Sequence, residues 1–175
     1  NNPNGAPAAT TSTNASGTTI TTTLGQTTDT SITNSGTINV GGTSQGISAT
    51  GSSTATITNS GTITTNNGTG INAAQGTNTT GNITVNNSGT ITANTSGSTN
   101  VGCNGCSAAQ GVMVQFSGTS STGTATVNNT STGTIGVTNG DGVVMMGYGT
   151  NILNNDGSIT STPTGTNSMP AVLMN

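Results

Sequence analysis

Short runs in which apolar residues alternate with Thr, Ser or Asn recur along this chain, and each run is closed by Gly or Asn. One series reads Thr54-Ala55-Thr56-Ile57-Thr58, Asn82-Ile83-Thr84-Val85-Asn86, Ala125-Thr126-Val127-Asn128 and Asn151-Ile152-Leu153-Asn154. A second follows a tight Asn-Ser-Gly: Asn34-Ser35-Gly36-Thr37-Ile38, Asn59-Ser60-Gly61-Thr62-Ile63 and Asn87-Ser88-Gly89-Thr90-Ile91. Looser copies run from Asn129 to Ile135 and from Asn155 to Ile159, with a degenerate first copy from Asn14 to Ile20. The third series is Gly46-Ile47-Ser48-Ala49, Gly70-Ile71-Asn72-Ala73, Gly111-Val112-Met113-Val114 and Gly142-Val143-Val144-Met145, with Ala171-Val172-Leu173-Met174 as its last copy. Alternation with period two marks a half-buried strand, and Gly and Asn between the runs are turn formers.

The asparagines of the second series, Asn34, Asn59, Asn87, Asn129 and Asn155, are spaced by 25, 28, 42 and 26 residues. A period near 25 is that of a solenoid. Three strands per period predict an all-β parallel β-helix of about five to six coils over residues 14–175, preceded by an irregular segment, 1–13. Successive coils lie about 4.8 Å apart, which stacks Ile38, Ile63, Ile91, Ile135 and Ile159 into an aliphatic core ladder. The same stacking predicts an amide ladder through Asn34, Asn59, Asn87, Asn129 and Asn155. Glycine beside each Asn is expected to supply a left-handed corner. The 42-residue interval predicts a loop inserted at about 94–110, on the face where inserted loops commonly meet partners. A globular β-sandwich is the alternative architecture.

Composition sharpens this picture. Only 27% of the 175 residues are apolar and 2% are charged, with one Phe, one Tyr and no Trp. A globule needs more apolar mass than that. Disordered chains, however, are usually rich in charge or Pro, and here the net charge is −3 with 4 Pro. The narrow core of a solenoid resolves the conflict. Lys, Arg and His are all absent, so there is no cationic surface for nucleic acid or anionic lipid. The longest apolar runs, Val143 to Met146 and Ala171 to Met174, fall far short of a membrane-spanning helix. The first residues, Asn1-Asn2-Pro3-Asn4, read as the processed end of a secreted precursor or as the boundary of an excised piece.

Candidate chemistry is sparse. Cys103 and Cys106 form a CxxC, but the chain has no further Cys and no His to complete a zinc site. Nothing nearby would lower a thiol pKa for redox work. A loop-closing disulfide in an oxidising compartment is the favoured reading, with free or intermolecularly bonded thiols as alternatives. Without His, Lys, Arg or Glu, general base, oxyanion-clamping and Schiff-base roles have few occupants. Asp141 and Asp156 read as turn residues rather than a catalytic pair or a calcium site. An enzyme is therefore not expected, and neither is a cofactor or a metal. The methionines are expected to fill a wider part of the core, and the many Asn-x-Thr sequons follow from composition alone.

Thr62, Thr64, Thr90 and Thr92 would stack as outward pairs. Flat threonine arrays of this kind resemble the ice-binding faces of insect-type antifreeze solenoids, which makes an ice- or carbohydrate-binding module the alternative function. Asn39 and Gly136 interrupt that array.

The Ile-Thr-Asn-Ser-Gly-Thr-Ile repeats at residues 32–38 and 57–63 resemble those of bacterial autotransporter passengers and haemagglutinin-type secreted adhesins. The resemblance covers roughly residues 14–160. It implies a right-handed parallel β-helix, secretion to the cell surface, and a role in adhesion, aggregation or surface-layer formation, with cell-surface glycans as candidate partners. It carries over no catalytic residues. Passengers are usually several-fold longer, so the chain reads either as a fragment or as a short solenoid that extends by assembly. The apolar segment Ala171-Val172-Leu173-Met174 has no Lys beside it to guard an edge. It is the expected contact of a head-to-tail homopolymer, built by end-on stacking or by strand exchange in which the segment Asn1 to Thr13 reaches a neighbour as an added strand.

Overall fold

In the computed structural model the described residues are 10–26, 30–51, 54–77, 80–96, 109–164 and 169–175. They form six coils. The first contains β1 (Thr10–Asn14), β2 (Thr19–Ile20) and β3 (Leu24–Gln26), and the second β4 (Thr30–Asn34), β5 (Thr37–Val40) and β6 (Ile47–Thr50). The third contains β7 (Ala55–Asn59), β8 (Thr62–Asn66) and β9 (Ile71–Thr77); the fourth β10 (Ile83–Asn87), β11 (Thr90–Asn94) and β12 (Ala109–Ser117). The fifth has β13 (Thr124–Asn129), β14 (Thr134–Thr138) and β15 (Gly140–Gly147), and the sixth β16 (Thr150–Asn155), β17 (Ser158–Thr162) and β18 (Val172–Met174). No helix occurs among the described residues.

Each coil adds one strand to each of three six-stranded sheets, ordered β1-β4-β7-β10-β13-β16, β2-β5-β8-β11-β14-β17 and β3-β6-β9-β12-β15-β18. Every pairing is parallel, as expected when a chain winds always in one direction. The architecture is a parallel β-helix, and the sandwich alternative is excluded. Strand β1 overlaps the segment expected to be irregular, so that Thr10 to Thr13 already belong to the solenoid; residues 1–9 lie outside the described residues. The insertion expected at about 94–110 falls between β11, which runs to Asn94, and β12, which starts at Ala109; residues 97–108 lie outside the described residues.

The interior is one apolar column per sheet position. Ile20, Ile38, Ile63, Ile91, Ile135 and Ile159 align across the second sheet, and Ile38, Ile63, Ile91 and Ile135 have no exposed surface. Ile32, Ile57, Val85 and Val127 align across the first sheet and Ile47, Ile71, Val112 and Val143 across the third. All belong to the same buried cluster. Alternate residues face solvent, which is how a chain so poor in apolar residues still fills a core: each coil supplies only a few side chains. Met145 sits in the interior. Met113 does not: with Val144, Met146 and Leu173 it forms a separate small apolar cluster, while Met169 is buried outside both clusters and Met174 is exposed.

The glycine of the Asn-Ser-Gly corner has a different job from the one expected. Gly36, Gly61 and Gly89 do not adopt a left-handed backbone. A Cβ on Gly61 would collide with the Gly36 carbonyl oxygen of the coil below, and one on Gly89 with that of Gly61. These carbonyls accept the next coil's amides, Thr62 N–H to Gly36 O at 2.9 Å and Thr90 N–H to Gly61 O at 2.9 Å. Glycine is required because backbone lies directly on backbone. In the first coil Gly17 of the degenerate copy is left-handed (φ 78°), and at the second corner Gly42 (φ 64°), Asn67 (φ 65°) and Asn139 (φ 54°) are; Asn tolerates that region better than most side chains.

Candidate functional site

The amide ladder spans all six coils. Asn14 Nδ2 donates to Asn34 Oδ1 at 2.7 Å, Asn34 to Asn59 at 2.7 Å, Asn59 to Asn87 at 2.8 Å, Asn87 to Asn129 at 2.8 Å and Asn129 to Asn155 at 2.8 Å. The second N–H of each amide turns to a corner carbonyl, for example Asn87 to Gly89 O at 3.3 Å and Asn155 to Gly157 O at 3.3 Å. All donors therefore point the same way, toward the next coil. Asn34, Asn59 and Asn87 have no exposed surface, and their polar atoms are paired with one another and with the corner backbone.

A second, unanticipated ladder runs along the outer surface of the first sheet. Asn154 Nδ2 donates to Asn128 Oδ1 at 2.8 Å, and Asn128 Nδ2 to Asn86 Oδ1 at 2.8 Å. Its donors point toward the earlier coil, opposite to the inner ladder. The Asn-Asn doublets at 86–87, 128–129 and 154–155 were its sequence signal: neighbours on a strand face opposite sides, so each doublet feeds one ladder within and one outside.

Thr62 and Thr64 on β8 and Thr90 and Thr92 on β11 stand on the outer wall of the second sheet. One column there is unbroken: Thr19, Thr37, Thr62, Thr90, Thr134 and Ser158 are in register over six coils. The adjacent column, through Asn39, Thr64, Thr92, Gly136 and Thr160, is interrupted as expected. The first sheet carries a comparable wall that the reading of Thr62 to Thr92 overlooked. Its columns are Thr11, Ser31, Thr56, Thr84 and Thr126, and beside them Thr13, Thr33 and Thr58 leading into the outer Asn ladder. Thr-x-Thr before each corner, as in Thr56-Ile57-Thr58, was the available signal.

Among the described residues the exposed large apolar side chains are Tyr148 (55%), Met174 (45%), Ile152 (39%) and Val172 (37%). All belong to the last coil or to the turn entering it. Val172 and Met174 align with the interior residues Val143 and Met145. They are core positions uncovered at the edge of the final coil, with Leu153 and Ile159 half-buried beside them. Ala171 starts this segment, and its carbonyl accepts Val143 N–H at 2.9 Å. Tyr148, Gly147 and Asn175 line a shallow cavity of about 300 Å³ at this edge.

Asp156 is exposed in the last Asn-x-Gly corner, where Asp156 N–H donates to Asn129 O at 2.9 Å. Asp141, expected in a turn, instead lies within β15 and is 1% exposed. It continues a buried polar column from Thr69 and Gln110, in which Thr69 Oγ1 donates to Gln110 Oε1 at 2.7 Å. Asp141 lies in a strand of the fifth coil and Asp156 at a corner of the sixth, and the two carboxyls are not brought together. Cys103 and Cys106 lie outside the described residues. No cluster of three or more metal-ligating side chains occurs among the described residues, and no helix there is long and apolar enough to cross a membrane. Comparison with protein-family models, with curated proteins and with solved structures returns no match for this chain.

Proposed function

We propose that this chain is a non-enzymatic extracellular structural module: a β-solenoid that builds a surface filament or an adhesive stalk by joining end to end with copies of itself. One observation carries the reading. The last coil presents the core positions Val172 and Met174, in a chain that has no Lys to guard an edge strand. Unguarded apolar strand edges are templates for further pairing, and a contact between unlike ends propagates rather than closing. Near-absence of charge removes the repulsion that would oppose stacking. Secretion to the cell surface, contact with surface glycans and a Cys103–Cys106 disulfide closing the inserted loop belong to the same reading. Electron microscopy of the purified chain across rising concentration tests it: rods much longer than one molecule are expected. Monomers alone at high concentration would refute it.

The unbroken Thr19 to Ser158 column favours a second reading, a hydroxyl face that orders ice or binds carbohydrate. Thermal hysteresis lost in Thr62→Leu/Thr90→Leu would select it, and wild-type solution without ice shaping would remove the ice-binding form.

A further inference from the structure

Among the described residues Asp141 is the one ionisable side chain that is buried: it is 1% exposed in β15, whereas Asp156 and Tyr148 are exposed. A charge taken out of water needs a counter-charge, and no cationic side chain exists to supply one, because Lys, Arg and His are all absent. The strands packed most closely on β15 are β12, β14, β17 and β18, and none of them carries a titratable or charged side chain. Tyr148 follows the far end of β15. Of the remaining aspartates, which are of like charge, Asp156 stands at a corner of the sixth coil and Asp29 lies outside the described residues, as do both cysteines.

The neighbours along the stack are neutral as well. In the fourth coil Asp141 pairs in register with Gln110, an amide whose Oε1 already takes the Thr69 hydroxyl at 2.7 Å. The sixth coil meets this end of β15 through Pro170, whose carbonyl accepts the Gly142 N–H at 3.3 Å; proline has no N–H of its own to offer a carboxylate. The backbone that carries Asp141 is clamped from both sides. Gly140 and Gly142 flank it, and a Cβ on either would collide with a neighbouring coil's carbonyl, Ala109 O or Ala171 O. Bringing the carboxyl to water therefore means parting the coils.

We propose that Asp141 is a neutral carboxylic acid in the folded solenoid and that losing its proton loosens the fifth coil, so the rod is tightest in acid and slackens as the pH rises. A buried carboxyl without a cation keeps its proton rather than carry an unbalanced charge. In the unfolded chain Asp ionises near about pH 4. Above that point the folded state holds one proton more than the unfolded state, so stability falls with rising pH until Asp141 itself ionises; below it the contribution is complete. Each pH unit within this window lowers the folded-to-unfolded ratio by about tenfold. A salt-bridged aspartate behaves in the opposite way and loses stability in acid. None of this depends on how the ends of the rod behave.

Urea midpoints of the full chain, followed by circular dichroism from about pH 4 to about pH 8, test the proposal. The wild-type midpoint is expected to fall across this range. Asp141→Asn, which keeps the shape and cannot ionise, is expected to flatten the profile and to be the more stable protein at neutral pH. Asp156→Asn, at an exposed corner, is expected to keep the wild-type slope. A flat or rising wild-type profile, or an unchanged slope in Asp141→Asn, would overturn the proposal. Should Asp141→Asn fail to fold, carbon-13 NMR of wild-type chain labelled at its three aspartate carboxyls gives a direct reading. One carboxyl is expected to keep its protonated shift at neutral pH, and three ionised aspartates would overturn the proposal.

Discussion

Replacing Asn87 by Ala isolates the contribution of the inner ladder. Asn87 has no exposed surface. It accepts from Asn59 at 2.8 Å and donates to Asn129 at 2.8 Å and to Gly89 O at 3.3 Å. Gly89 O keeps the amide of Thr134, at 2.9 Å. Truncation therefore strands two groups, one N–H of Asn59 and the Oδ1 of Asn129. Each unsatisfied buried group costs about 1–3 kcal/mol, so the variant should lose about 2–6 kcal/mol. That is a large share of the roughly 5–15 kcal/mol available to a domain. Asn155→Ala is the internal control: Asn155 is exposed, and Asn129 Nδ2 keeps carbonyl partners at Gly133 and Ser158, each at 3.3 Å. Its cost should stay within about 1 kcal/mol. Urea unfolding followed by circular dichroism measures both, and hydrogen exchange at the Ser88 and Gly89 amides, which bond to Asn59 O, reports the local loss. Asn59→Ala/Asn87→Ala should cost less than the sum of the singles, because the two amides share a bond. Equal losses for Asn87→Ala and Asn155→Ala, or strict additivity of the inner pair, would refute the ladder argument.

Gly89→Ala should be strongly destabilising, because its Cβ meets the Gly61 carbonyl, whereas Gly41→Ala, with open space around it, should shift the urea midpoint little. Ile91→Ala removes a fully buried rung of the core and should cost about 2–5 kcal/mol by the same measurement. Val172→Lys places a charge on an exposed core position of the last coil; it should leave the monomer's circular dichroism intact while abolishing long rods in electron micrographs.

The coil architecture was legible because its signal is literal: Asn-Ser-Gly-Thr-Ile repeats, and each copy sets a corner, a turn and an inward Ile. The same local pattern hid what depends on stacking. Gly61 reads as a turn former in isolation, and only the Gly36 carbonyl beneath it reveals that the constraint is space between coils. Asn86 reads as a spare polar residue until Asn128 is placed above it. Asp141 sits among Gly and Asn, which suggests a turn, but pairing with Gln110 draws it into β15. At the N-terminus, Thr10 to Thr13 carry no large apolar residue to announce a strand. The pairing partner, Thr30 to Thr33, supplies what the segment itself lacks.

The spacing between successive ladder asparagines varies, 20, 25, 28, 42 and 26 residues, while the rungs stay at 2.7–2.8 Å. The walls are metered and the corners are not. A gene encoding such a wall can gain or lose whole storeys, or lengthen a balcony between two of them, without disturbing the masonry above or below. Inheritance then acts on height and ornament separately, and the masonry carries no record of which was changed first.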